Sequence, residues 1–194
     1  TVTGSNFLFE IDGKRILIDC GLTQGTKVAD DINWDPFPYD VKGVDMLFVT
    51  HAHVDHVGRI PKLIYEGFNG EIYSTKPTKA LALPMLEDTM NILSNNKDRN
   101  LDKIYSPENL KSAFSLWQGF EYHEKLQITP ELEVSFLNAG HILGSAMVLF
   151  IYRGQKILFT GDLGNSPSPI LPDTEKNTDI KYLIMESVYR DRNH

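Results

Sequence analysis

The segment Thr50-His51-Ala52-His53-Val54-Asp55-His56 places three of the chain's six histidines within six residues. Imidazole nitrogens and carboxylate oxygens are the ligands that zinc and related ions take. In an extended backbone His51 and His53 point the same way and can grip one ion. A turn after His53 then lets Asp55 and His56 face a second ion. This is not the helical H-E-x-x-H pattern, in which the two histidines sit one turn apart. A polar loop with chance histidines is the plainer alternative, but four ligand-type residues at the end of an apolar run favour metal.

Two further positions add to the set. His141 lies in Asn138-Ala139-Gly140-His141-Ile142-Leu143-Gly144-Ser145, and Asp162 lies in Phe159-Thr160-Gly161-Asp162. Either alone reads as an ordinary turn residue. Together they put ligand-type residues after three strands, and ligand sites in α/β proteins gather at such strand ends. A carboxylate such as Asp162 has two oxygens and can bridge two cations.

The positioning elements are read from periodicity. Residues 6–11 and 15–20 are apolar and β-rich and are joined by Asp12-Gly13, a hairpin signal. Residues 45–50 suit a short buried strand, and 71–74 another. Residues 59–66, 79–93 and 107–117 have helical spacing, with Pro107 in a first turn. Strands are then expected at 121–128, 132–138, 146–152 and 156–160, with Gly154 turning the last pair. Residues 165–177 read as a surface loop and 182–186 as a final strand. Two batches of strands with helices between them predict a layered α/β sandwich.

Composition is that of a globular chain of 194 residues, with 41% hydrophobic and 23% charged residues. The net charge of -7 argues against a generic nucleic-acid coat protein. It leaves a nuclease open, because bound cations reset the local field. The single cysteine, Cys20, excludes an internal disulfide and a cysteine-rich metal site, and fits a reducing, cytoplasmic setting. No run approaches the ~18 apolar residues of a membrane span, and no signal peptide is visible.

The motif order resembles the metallo-β-lactamase superfamily: His-x-His-x-Asp-His at 51–56, a distal His141, Asp162, and Asp19 in Ile18-Asp19-Cys20-Gly21. Thr3-Gly4-Ser5, Asp19-Cys20-Gly21, residues 51–61 and residues 140–145 are similar to the β-CASP branch of RNA-processing nucleases. So is the stretch from Met185 to His194, which resembles the Glu-Ser-Thr-Tyr-Gly-Asp-Arg segment closing the first half of those enzymes. Val188 and Arg190 replace the Thr and Gly of that pattern.

The resemblance implies an α/β fold, the four-layer αββα metallo-β-lactamase sandwich. Residues 1–194 would be its incomplete N-terminal part, with the β-CASP domain and a C-terminal return absent. It implies two zinc ions, with manganese as an alternative. His51, His53 and His141 would hold the first, Asp55 and His56 the second, and Asp162 would bridge them. Asp19 and Glu186 would orient the ligands, and Asp55, Asp162 and Glu186 would form the catalytic set. The implied reaction is phosphodiester hydrolysis by a metal-bridging hydroxide, as in a ribonuclease of RNA processing or decay. Single-stranded RNA is the expected substrate, with DNA as an alternative; no membrane is expected, and a homodimer is an option. A piece lacking the return segment should be weakly active, because general acid help alone is worth ~10²–10⁴ in rate.

Two rival readings stand beside this one: a thioesterase or lactonase of the same fold, and a non-catalytic β-CASP-like subunit. Substrate-binding residues are not assigned. Arg59, Lys76, Lys79, Arg190 and Arg192 could meet a phosphate backbone or be solvated surface charge. His123 reads as an exposed strand residue, Trp34 and Trp117 as packing residues, and Cys20 as a small buried apolar residue.

Overall fold

The computed structural model describes residues 3–25, 32–93 and 98–187. The chain begins with the expected hairpin. Strand β1 (Phe7–Ile11) pairs antiparallel with β2 (Lys14–Ile18). The connecting Asp12 and Gly13 both have positive φ (51° and 71°), the requirement of a tight turn whose twist matches that of the strands. From β2 onward the first sheet is parallel: β3 (Met46–Phe48), β4 (Glu71–Thr75) and β5 (Trp117–Phe120) follow, in the order β1-β2-β3-β4-β5.

Parallel neighbours need crossovers, and helices supply them. Helices α1 (Val54–Val57) and α2 (Ile60–Tyr65) link β3 to β4. Helices α3 (Lys76–Leu93), α4 (Leu101–Ile104) and α5 (Pro107–Leu116) link β4 to β5. The α5 start is built as expected: Pro107 opens the helix and the Ser106 side chain accepts from the Asn109 N–H.

The second sheet runs β6 (Leu126–Thr129), β7 (Leu132–Asn138), β8 (Ala146–Tyr152) and β9 (Gln155–Phe159), all antiparallel. It ends with β10 (Ile180–Ile184), parallel to β9. Residues 165–177 form no helix or strand.

Two-residue alternation sorts the side chains into layers. Leu17, Leu47, Val49 and Ile72 face Val57, Ile60, Leu63, Leu86 and Ala113 of the helices. Ile16, Ile18, Phe48 and Tyr73 face Val134, Phe136, Val148, Phe150 and Phe159 of the second sheet. On the far side of that sheet Leu137, Met147, Leu149 and Leu158 pack against Leu163 and Ile180, and no helix covers them among the described residues. The described molecule is therefore helix, sheet, sheet: three of the four layers of the expected sandwich.

Phe48 is the centre of the sheet-to-sheet core. It is fully buried and meets Tyr73, Phe136 and Phe150 at ring-centroid distances of 5.1, 6.0 and 5.4 Å. Phe48→Ala is expected to cost about 3–5 kcal/mol. Equilibrium urea unfolding checks this; a loss below about 1 kcal/mol would mean that the two sheets do not share this core.

Three expectations are corrected. Trp117 ends no helix; it begins β5. The expected strand 121–128 is a turn at residues 121–125 followed by β6. The final strand lies two residues earlier than read. Residues 188–194, with Val188, Arg190, Arg192 and His194, lie outside the described residues. No helix among the described residues is long and apolar enough to cross a membrane.

Candidate metal centre

The candidate ligands sit on loops that leave three strand ends, those of β3, β7 and β9. After β3 the chain runs extended through Thr50, His51 and His53 and then turns into α1, with His53 as the last residue before the helix (φ −67°, ψ 148°). The extended-then-turn geometry expected for this segment is what forms. His141 lies in the loop between β7 and β8. Ser145, to which sequence reasoning gave no role, shapes that loop: its hydroxyl accepts from the N–H groups of both His141 and Ile142 (3.0 and 3.1 Å). Asp162 follows β9 by way of Gly161. A Cβ on Gly161 would stand 2.7 Å from Cβ of Thr50, so only glycine lets the Asp162 loop close over the histidine segment.

Four donor atoms converge: one from each of His51, His53, His141 and Asp162, all within 4.8 Å of one another. His53 Nδ1 is 3.1 Å from His51 Nε2 and 3.2 Å from His141 Nε2. Asp162 Oδ2 is 3.8 Å from both His51 Nε2 and His141 Nε2. A tetrahedral zinc with bonds of about 2.0–2.2 Å sets its ligand atoms roughly 3.3–3.5 Å apart. The cluster brackets that spacing, so a three-imidazole, one-carboxylate donor set fits such an ion.

The second oxygen of Asp162 points elsewhere: Oδ1 is 3.3 Å from His56 Nε2. His56 is aimed by Asp19, whose Oδ2 lies 2.7 Å from His56 Nδ1. Asp19 itself is buried, adopts the left-handed conformation (φ 61°), and accepts from the Thr50 N–H at 2.8 Å. That backbone is costly for a non-glycine residue and is held here by its hydrogen bonds.

Asp55 lies in the first turn of α1 and its carbonyl accepts from the Ser5 N–H (2.9 Å). Its carboxylate is outside the four-atom cluster and has no ion-pair partner among the described residues. Glu186 holds the loop after Asp162, with Oε1 accepting from the Leu163 N–H at 2.6 Å.

The electrostatics follow this arrangement. Burial, reinforced by the neighbouring imidazoles, holds His51 well below the ordinary histidine value. At His56 burial works toward neutrality, but the charges of and hydrogen bonds to Asp19 and Asp162 outweigh it and push the imidazole up to about 10. Burial would raise the Asp162 carboxyl, yet the hydrogen bond and charge of His56 bring it below its ordinary value. Burial lowers His141, against the pull of Asp162.

Cavities flank Asp162 on two sides. One of about 340 Å³ lies between the β1 and β10 ends, lined by Asn6, Phe7, His56, Phe159 and Glu186 among others. The other, of about 430 Å³, is bounded by His141, Asp162, Leu163, Asn165, Pro167 and Glu186.

The basic candidates among the described residues have other partners. Arg59 is buried and donates through Nε to the Gly21 carbonyl (2.6 Å), so it does not face a phosphate backbone. Lys76 pairs with Glu121 (2.7 Å), and Lys79 donates to the Trp117 carbonyl. His123 stands exposed in the 121–125 turn, 3.3 Å from Glu175. Trp117 is buried and donates to Ser74 Oγ (2.8 Å), while Trp34 stacks edge-on with Tyr105. Cys20 is fully buried, and burial pushes its thiol up to about 12.

Residues 8–186 match the family model described as the metallo-β-lactamase superfamily domain. Ribonuclease TTHA0252 of Thermus thermophilus is 38% identical over 193 residues, covering 100% of this chain and 42% of the relative. An RNase J-like protein of Methanocaldococcus jannaschii is 36% identical over 90% of this chain and 37% of its own length. Transcription termination factor FttA of Pyrococcus abyssi is 34% identical over 95% of this chain and 30% of its own. The chain thus spans less than half the length of these relatives. Among solved structures, a protein of unknown function from Enterococcus faecalis superposes with a TM-score of 0.53 at 17% identity, over 84% of this chain and 41% of that one. At that identity the likeness is one of fold.

Proposed function

The chain belongs to the metallo-β-lactamase superfamily, and from that premise we propose that it forms the metal-binding part of a zinc-dependent phosphodiester hydrolase acting on RNA. The convergence of three imidazole nitrogens and one Asp162 oxygen at the spacing of a single tetrahedral ion carries this reading. The relatives' names, a ribonuclease, an RNase J-like protein and a transcription termination factor, support RNA over a small thioester or lactone. They are the β-CASP type of RNA-processing nuclease that the sequence motifs resemble. Single strands as the favoured form of RNA, and a cytoplasmic setting, belong to the same proposal.

His51, His53, His141 and Asp162 would hold one ion, and His56, Asp55 and the other Asp162 oxygen a second. When bound, such ions acidify water to near neutrality and neutralise phosphate charge. The chain's own groups do the positioning. Asp19 fixes the His56 ring, so that Nε2 faces Asp162. Glu186 holds the backbone that follows Asp162, which makes it a positioning residue. His141, partly buried, faces the 430 Å³ cavity, and we place the scissile phosphate there, between His141 and the 163–169 loop. A cavity of that size can enclose a nucleotide-sized group.

The test pairs elemental analysis of protein from zinc-supplemented expression with cleavage of a labelled single-stranded RNA oligomer. Zinc in the protein and chelator-sensitive RNA cleavage are expected. Protein free of transition metal, or metal-loaded protein that spares RNA and hydrolyses a thioester or lactone, would overturn the proposal.

A further inference from the structure

Thr50 is fully buried at a point where four segments of the site meet. Its N–H donates to Asp19 Oδ1 (2.8 Å), and its carbonyl accepts from the Ala146 N–H (2.8 Å), just past the His141 loop. Its Cβ packs against Gly161, one residue before Asp162. Its hydroxyl lies 3.1 Å from His51 Nδ1 and 2.9 Å from Asp19 Oδ2. The same Asp19 oxygen takes His56 Nδ1 at 2.7 Å.

A hydroxyl has one proton to give and can accept another. His51 turns Nε2 toward His53, His141 and Asp162, so for ion binding its proton must reside on Nδ1. That Nδ1–H donates to Thr50 Oγ1, and the Thr50 hydroxyl gives its one proton to Asp19, a carboxylate that can only accept. We propose that Thr50 is a positioning residue that ties the His51 imidazole to the buried Asp19 carboxylate. One anion then sets the tautomers of both His51 and His56, directly for His56 and through the threonine hydroxyl for His51. The fixed proton count explains why a hydroxyl, and not an amide or a methyl, stands here: the position must accept from an imidazole and donate to a carboxylate within a single atom.

This inference rests on the metal reading of the site. It separates Thr50 from Asp19 in effect. Loss of the hydroxyl frees only the His51 ring, because the Asp19–His56 contact and the Thr50 N–H bond remain. Removing a group that orients a ligand histidine typically lowers metal affinity 10–100-fold.

The experiment compares wild type, Thr50→Val and Thr50→Ser. Val keeps the branched shape against Gly161 and lacks the hydroxyl; Ser keeps the hydroxyl and lacks the methyl. Zinc affinity is measured by chelator competition, and the cobalt-substituted proteins are compared by visible absorption. Thr50→Val should bind 10–100-fold more weakly with an altered cobalt spectrum, and Thr50→Ser should stay within about threefold of wild type. Equal affinity in wild type and Thr50→Val, or equal losses in Val and Ser, would overturn the role of the hydroxyl. If Thr50→Val does not fold, ¹⁵N-histidine NMR of the zinc-loaded wild type decides: a proton on His51 Nδ1 is expected, and a proton on Nε2 overturns the inference. A wild type that takes up no metal would overturn the metal reading, and this inference with it.

Discussion

Asp162→Ala should empty the site. Asp162 is the one side chain that offers an oxygen to each side: Oδ2 to the His51, His53 and His141 cluster, and Oδ1 to His56. Its removal deletes one donor from the four-atom set and the only carboxylate in it. Three imidazoles at a partly open position leave an ion with less charge compensation and a free coordination site. Metal content after gel filtration is expected to fall to a small fraction of wild type, and the proposed RNA cleavage by up to ~10³-fold, the upper end for removal of one electrostatic group. His123→Ala is the control, because His123 is exposed and outside the cluster. The two variants, purified in parallel, should differ in zinc by elemental analysis while giving similar melting curves without metal. Wild-type zinc content in Asp162→Ala would refute the assignment of Asp162 as a ligand.

Gly21→Ala should be the most disruptive of the glycine-to-alanine substitutions. A Cβ at Gly21 would lie 1.5 Å from the Asp55 carbonyl oxygen, 2.0 Å from its carbon and 2.6 Å from the His56 nitrogen. All three are backbone atoms, so no rotamer change relieves the contact. The only response is separation of the 19–22 segment from α1. That separation breaks the hydrogen bonds Cys20 N–H to His56 carbonyl (2.7 Å) and Leu22 N–H to Val54 carbonyl (3.0 Å). Two lost hydrogen bonds at roughly 1 kcal/mol each, added to overpacking of about 1–3 kcal/mol, give a destabilisation of about 3–5 kcal/mol. For a chain of this size that lowers Tm by roughly 6–20 °C. Because Asp19 and His56 sit on the two segments forced apart, the His56 side of the site should fail as well. Gly13→Ala is the comparison: space is open there and only the positive φ is strained, so about 1 kcal/mol is expected. Calorimetry in which Gly21→Ala melts no lower than Gly13→Ala would show that the 19–22 segment is not packed as described.

Much of this protein was legible locally. The hairpin from Phe7 to Ile18 follows from alternation and from Asp12-Gly13, and strands 132–138 and 146–152 fall at the residues where alternation places them. The ligand-type residues at 51–56, 141 and 162 stood out because their side chains have specific chemistry and follow apolar runs. These features depend on near neighbours in the chain, and near neighbours are what a sequence displays.

Other features were settled at a distance. Strand β5 exists because Gln118 and Gly119 pair with Tyr73 and Ser74 of β4, more than forty residues away; its own composition, with Gly119 in the middle, gives little strand signal. Arg59 looked like a surface cation, and only folding put the Gly21 carbonyl and the Phe37 ring (5.1 Å) around it. Thr50 and Glu186 find their partners, Asp19 and the Leu163 N–H, on other loops, and Ser145 finds its own within the closed β7–β8 loop. Most telling is Asp162. The sequence alone determined that a carboxylate follows β9 at a glycine. Which histidine each of its two oxygens faces depends on how closely Gly161 lets that loop approach Thr50, a steric fact that belongs to the packed sheets.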